Sequence, residues 1–290
     1  MMLATALGWC RVESLAFHAT ERVHALTMRL FQSAHRLAGA VFSESLRTDE
    51  KSRLTVKIYD FYPGYIDVGD HLYPVEEAWF ARHLPPPPCH VLVGACGTGR
   101  EAIALAARGY RVDAIEPAPA FVAESRRRLA GRAPVARLSY EELSAAVLDG
   151  APAEGPLAAH YDAVLLGCGS LTHVLDTAEQ RRLMAALGRL CPQGPILASF
   201  FCSDDGAAAV AAGRAVRLGR RIGRAFARFR GMPPAGAAQV SYRAHSGFAY
   251  TFTEREIEAL AASAGRRTAW ERQAGHPSHY ATFLPPGTHA

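Results

Sequence analysis

Lysine is nearly absent from this chain: among 290 residues only Lys51 and Lys57 occur, so almost all of its 32 basic side chains are arginines. Both lysines precede the first glycine-rich turn, and no convincing Tyr-x-x-x-Lys pair follows it. The six cysteines contain no CxxC pair, and the twelve histidines form no HExxH or Cys/His cluster. Neither a disulfide framework nor a bound metal is therefore expected. No apolar run approaches the roughly 18 residues of a membrane helix. The N-terminus also lacks a basic flank, a short apolar segment and a small-residue cleavage site. A cytoplasmic location without a membrane partner is the default expectation.

The net charge of +5 is local. Arg214, Arg217, Arg220, Arg221, Arg224, Arg228 and Arg230 stand in "GRAVRLGRRIGRAFARFR" with no acid between them, and without them the remainder is about −2. A nucleic-acid role cannot be argued from such an average, and no aromatic interleaving accompanies the basic run. Val216, Leu218, Ile222, Ala225, Phe226 and Phe229 give the same segment an apolar stripe. A solvated cationic face over a packed one, or recruitment of an acidic substrate or carrier, fits this helix better than nucleic acid does.

Residues 1–52 have helical spacing and no strand-like alternation, which predicts an N-terminal helical extension able to pair with a second copy. Residues 53–290 read as the main domain. From Cys89 onward, short apolar runs alternate with helical segments: "HVLVGA" then "REAIALAARG", "RVDAIE" then "AFVAESRRRLAG", "VARLS" then "YEELSAAVL", "YDAVLLG" then "TAEQRRLMAALGRL". This rhythm predicts a doubly wound α/β fold, a mostly parallel seven-stranded sheet with helices on both faces. Residues 204–247 are too long for a simple crossover after the fifth strand and are expected to form a cap. "TFTEREIEALAASAG" offers Thr253 and Glu256 as a capping box and Gly265 as the stop, before a closing hairpin of "TAWERQ" and "HYATFLP".

"VLVGACGTGRE" places Gly94, Gly97 and Gly99 between a strand and a helix, where bare amides approach a ligand. Dinucleotides and S-adenosylmethionine both use such a turn, and "GTGREA" satisfies GxGxxA. Glu116 ends the second strand, where a carboxylate accepts hydrogen bonds from ribose hydroxyls.

The combination of "VLVGACGTG", the acid-ended "DAIEP", "YDAVLLGCGSLTHVLD" and "CPQGP" before "PILASFF" resembles the class I S-adenosylmethionine-dependent methyltransferases over about residues 89–284. "GCGSLTHV" is similar to the strand-four loop of small-molecule members such as glycine N-methyltransferase and the aminosugar N-methyltransferases. The resemblance implies cofactor contacts at Gly94, Ala95, Cys96, Gly97, Gly99, Glu116, Pro117, Tyr140, Gly167 and Cys168. It implies a lid carrying Tyr59, Tyr62 and Tyr65. His173 is the candidate base or orienting group, with His245 and Tyr250 as substrate contacts, while His276 and His279 have weaker claims.

Three positions depart from the family, one of them after the third strand, where the resemblance implies an acid and "LSYEE" has Ser139 and Tyr140. Val93 stands where an acid is usual and Ala95 where the first glycine is, so one contact to the methionine amino group is missing or supplied elsewhere. The expected activity is methyl transfer to an amine or hydroxyl of a small molecule, with specialised metabolism a candidate setting. An acidic, carrier- or peptide-bound substrate, an NAD(P)-dependent oxidoreductase and a non-catalytic cofactor-binding protein stay open as alternatives.

Overall fold

The computed structural model describes residues 2–61, 69, 71–151, 160–203, 213–232, 240–243, 246–271 and 278–287. The chain divides into two compact units, Met1–Ser45 with Ala212–Ala235, and Leu46–Ala211 with Gly236–Ala290. The boundary expected at residue 52 falls within a helix of the second unit, Thr48–Phe61.

The first unit is a helix pair, α1 (Met2–Ser45) and the arginine-rich helix (Arg214–Phe229). Gly219 and Gly223 let the backbones meet: a Cβ at Gly219 would lie 2.5 Å from the Leu37 carbonyl oxygen, and one at Gly223 2.6 Å from that of Val41. Arg230 donates to the Ser45 carbonyl at 2.9 Å, and Arg220 pairs with Glu44 at 3.7 Å.

The second unit carries the sheet. Its elements before the arginine-rich helix are α2 (Thr48–Phe61), α3 (Pro74–His83), β1 (His90–Gly94), α4 (Arg100–Ala107), β2 (Arg111–Glu116), α5 (Pro119–Leu129), β3 (Val135–Arg137), α6 (Tyr140–Asp149), β4 (Ala163–Leu166), α7 (Thr177–Leu190) and β5 (Ile196–Cys202). Counting the arginine-rich helix as α8, there follow β6 (Val240–Arg243), β7 (Gly247–Phe252), α9 (Glu254–Ser263), β8 (Arg267–Glu271) and β9 (His279–Leu284).

Strands β1 to β5 are parallel in the order β3-β2-β1-β4-β5, and β9 runs antiparallel beside β5 and carries β8. Successive side chains point to opposite faces of a strand. Val91 and Val93 accordingly join the helices α3, α4 and α5 in one apolar cluster, while Leu92 joins α6, α7 and α9 in the other. Trp79 of α3 is fully buried and donates to Thr282 of β9 at 2.9 Å.

The expectation of seven strands needs correction, because the sheet has nine among the described residues. The outer end of β5, Phe201 and Cys202, pairs in parallel with Thr251 and Phe252 of β7, and β6 pairs antiparallel with β7. Within 204–247, the described residues hold helix α8 in the first unit and strand β6 in the second. The capping box of α9 is present, with the Thr253 hydroxyl accepting from the Glu256 amide at 3.2 Å, and Gly265 takes a φ of 67° at the exit.

Candidate active site

The register of β1 and β4 sets Gly94 beside Leu166, so both strands end level and their exit turns lie side by side. In each turn a residue with a side chain occupies the left-handed region: Ala95 at φ 46° and Cys168 at φ 51°. Such strain persists where the surroundings over-determine it, and it concentrates at ligand sites. Ala95 therefore keeps the bend that the usual glycine would give. The turn is closed by the Cys96 amide donating to Ile115 O at 3.0 Å and the Gly99 amide donating to Cys96 O at 2.9 Å. Gly97 takes φ 56°, and an added Cβ would meet nothing nearer than Phe121 at 4.0 Å. That space belongs to a cavity of about 400 Å³.

The cavity is lined by Ala95, Cys96, Gly97, Glu116, Pro117, Tyr140, Gly167 and Cys168, together with Tyr59 and His173. Gly94 and Gly99 stand behind this lining. A Cβ on Gly94 would lie 2.8 Å from the Tyr140 ring, so glycine there lets that ring close the wall, and the Tyr140 hydroxyl bonds Ser170 at 2.8 Å. Tyr250 does not reach the cavity. Its ring is buried in the core and its hydroxyl donates to Glu256 at 2.8 Å, because β7 is a paired strand rather than a loop returning over the site. Tyr62, Tyr65, His245 and His276 lie outside the described residues.

Three carboxylate residues, Glu116, Glu101 and Glu141, line this space, and the first two flank the exits of β1 and β4. Glu116 accepts from the Gly97 amide at 2.8 Å and the Ala118 amide at 2.9 Å, one bond to each oxygen. Burial pushes its acid up to about 7 against those two bonds, which favour the ionised form. The second carboxylate, Glu101 of α4, was not anticipated. A Cβ on Gly167 would lie 2.7 Å from Glu101 Oε1, so the carboxyl group sits directly against the exit of β4.

Arg100 fixes Glu101. Its guanidinium bonds Glu101 at 2.7 Å and grips both oxygens of Glu76 at 2.5 and 2.8 Å, with the Tyr73 ring 4.7 Å from its centre. All three charged residues are buried. Burial raises the Glu101 acid and the Arg100 charge opposes that rise. Glu101 follows the GTGR tetrapeptide, and the missing acid at Val93 was the signal that another carboxylate should be sought nearby.

His173 ends a 3-10 turn, Ser170–His173, beyond β4. Its Nδ1 lies 3.0 Å from the Phe248 carbonyl and its Nε2 lies 3.0 Å from the Tyr59 hydroxyl. A carbonyl only accepts, so in the neutral ring Nδ1 carries the proton and Nε2 accepts from Tyr59. The unanticipated strand β7 arranges this pair. The Thr55 hydroxyl accepts from the Phe248 amide at 2.9 Å, and Gly247 has no Cβ to strike Thr55. One helical turn later, Tyr59 meets the imidazole.

Residues 91–194 match a family model described as a methyltransferase domain. No curated protein matches the chain. Among solved structures, a putative Zn-dependent alcohol dehydrogenase from Rhodobacter sphaeroides is 16% identical, covers 80% of this chain and 98% of its own, and has a TM-score of 0.53. A 1,6-didemethyltoxoflavin-N1-methyltransferase from Burkholderia thailandensis, bound to S-adenosylhomocysteine, is 18% identical over 80% of this chain and 84% of its own, with a TM-score of 0.48. A sugar N-methyltransferase from a Streptoalloteichus species is 18% identical over 73% of this chain and 85% of its own, with a TM-score of 0.48. At these identities the likeness concerns the fold alone.

Proposed function

We propose that the chain, whose residues 91–194 match a methyltransferase-domain model, is a class I S-adenosylmethionine-dependent methyltransferase that methylates an amine or hydroxyl of a small molecule held beside Tyr59 and His173. The observation that carries this reading is the single cavity wall shared by the glycine turn, Glu116, Glu101 and the Tyr59–His173 pair.

The residues present fit the cofactor. Glu116 has one protein bond on each oxygen, which leaves acceptor capacity for two ribose hydroxyls. Glu101 supplies the carboxylate that Val93 does not, and it suits the ammonium of the methionine end. Pro117, Phe121, Leu138 and Tyr140 offer flat or apolar surface for a base. The cavity volume lies in the range of roughly 300–1,000 Å³ typical of small-molecule sites.

When bound, S-adenosylmethionine supplies a methyl carbon already activated by a positive sulfur. The protein then has to align the acceptor and remove its proton, and alignment is worth up to roughly 7–11 kcal/mol in favourable cases. With the acceptor aligned, the Tyr59 hydroxyl would take the acceptor's proton. It passes its own to His173 Nε2, while Phe248 O holds the imidazole by Nδ1–H. Burial pushes the Cys96 thiol well above its ordinary range, so it stays neutral and outside this chemistry.

The test is turnover of identified acceptors by His173→Asn and Tyr59→Phe. His173→Asn lowers kcat by about 10²–10⁴, the usual worth of a positioned base, with cofactor affinity unchanged; undiminished turnover removes the proton relay. Binding of 5′-methylthioadenosine, which lacks the amino-acid end, separates the carboxylates. Glu101→Gln weakens S-adenosylmethionine alone, whereas Glu116→Ala weakens both ligands.

A further inference from the structure

The helix pair has a surface that the methyltransfer site does not use. Along α8, Leu218, Ile222, Phe226 and Phe229 recur at spacings of four, four and three, and they are 50%, 46%, 52% and 88% exposed. A helix advances 100° per residue, so these four form one continuous line. On one flank of that line run Gly219, Gly223 and Ala227, buried against α1. On its other flank Arg214, Arg221 and Arg228 recur every seven residues, all exposed. The helix contains no acid, and Glu44 of α1 engages Arg220 and Arg224 on the far side.

A packed core strip, an apolar strip and a cationic strip thus divide the circumference of one helix. The first explains how α8 is held; the other two call for something outside the pair. We propose that this face docks on an anionic lipid surface, with the apolar line entering the acyl boundary and the arginines reaching phosphate headgroups. A helix lying in the interface requires these two features side by side and no membrane-spanning length. The absence of a spanning helix among the described residues is therefore compatible with it.

Charge decides against the other occupants. A second copy meeting this face would bring two arginine rows to one seam with no acid on either α8 to balance them. A nucleic acid would be drawn to the arginines but would leave four large apolar side chains in water. Long arginine stems flank an apolar line without disturbing it, because the guanidinium reaches outward to the charged layer.

Sedimentation of the full chain with vesicles tests this. Vesicles of phosphatidylcholine alone are compared with vesicles containing one third phosphatidylglycerol, each at low and at high salt. The protein pellets with the anionic vesicles and not with the neutral ones. Arg214→Gln, Arg221→Gln and Arg228→Gln together lower partitioning on the order of 100-fold, since each near-surface arginine adds severalfold. Ile222→Gln, Phe226→Gln and Phe229→Gln together leave only weak binding that high salt abolishes. These positions are exposed, and cofactor affinity in both triple variants remains that of the parent, which separates this result from the fate of the proposed reaction. No vesicle binding, equal binding to both vesicle types, or a dimer in vesicle-free solution that the apolar triple variant dissolves would each overturn the proposal.

Discussion

Arginine is used in opposite ways at the two ends of this molecule's chemistry. Arg100 is sealed between Glu76 and Glu101, with every strong contact supplied from within the chain, while Arg214, Arg221 and Arg228 face solvent from a helix that holds no acid. An internal guanidinium with a fixed bidentate partner acts as a positioning device: it holds a carboxylate where a ligand will need it. A solvated row positions nothing inside the protein and acquires its energetic meaning from an external partner. Composition treats both as the same +1, and only their surroundings separate them.

The largest way to test that contrast is to remove the buried member. Arg100→Met leaves two carboxylates buried without their partner and costs about 3–5 kcal/mol of stability, read as a drop in the denaturant midpoint. It also weakens cofactor binding, since Glu101 is no longer held in place. A variant as stable as the parent would show that the cluster rearranges and does not position Glu101.

A smaller effect comes from pH. Burial pushes Glu116 from its ordinary 4.5 up to about 7, so the folded protein binds this proton more tightly than the unfolded chain does. Its contribution to stability is full below about 4.5 and is lost as pH rises through 7. Cofactor binding has the opposite sign, because ribose hydroxyls donate best to the ionised form. Affinity therefore rises between pH 6 and 8, by at most about tenfold per unit below 7, and Glu116→Gln flattens the profile. A parent profile already flat would place the ribose elsewhere.

The smallest expected effect is at the exposed row. Arg221→Gln with Arg228→Gln changes stability by no more than about 0.5 kcal/mol in the absence of lipid. A larger loss would mean that these side chains serve the fold and would dissolve the contrast.

The parallel half of the sheet was legible because its signals are local. "RVDAIE" and "TAEQRRLMAALGRL" are β2 and α7 to the residue, and Thr253 and Glu256 do form the cap of α9. Strands β6 and β7 were not legible. "SGFAYTF" follows a long insertion, and the pairing of β7 with the outer end of β5 is a contact between distant parts of the chain that no local period records. The same limit governs the site. The glycine turn and Glu116 were visible as neighbours of a strand end, and the structure brings them together with Tyr140, Gly167 and His173 around one cavity. Glu101 was hidden because its significance depends on Gly167 of another strand and on Glu76 of another helix. Tyr59 was anticipated as part of a lid wall, but its bond to His173 depends on the Thr55–Phe248 link that the unseen strand supplies. Tyr250, read as a substrate contact, carries a polar tip that is satisfied inside the core by Glu256.

The most direct measurement is calorimetric titration of the intact protein with S-adenosylhomocysteine and, separately, with NAD. The account predicts one saturable site for S-adenosylhomocysteine, weakened roughly 10–150-fold by Glu116→Ala through loss of a charge-assisted hydrogen bond worth about 1.5–3 kcal/mol, and no comparable heat from NAD. Saturable binding of NAD with none of S-adenosylhomocysteine would contradict it.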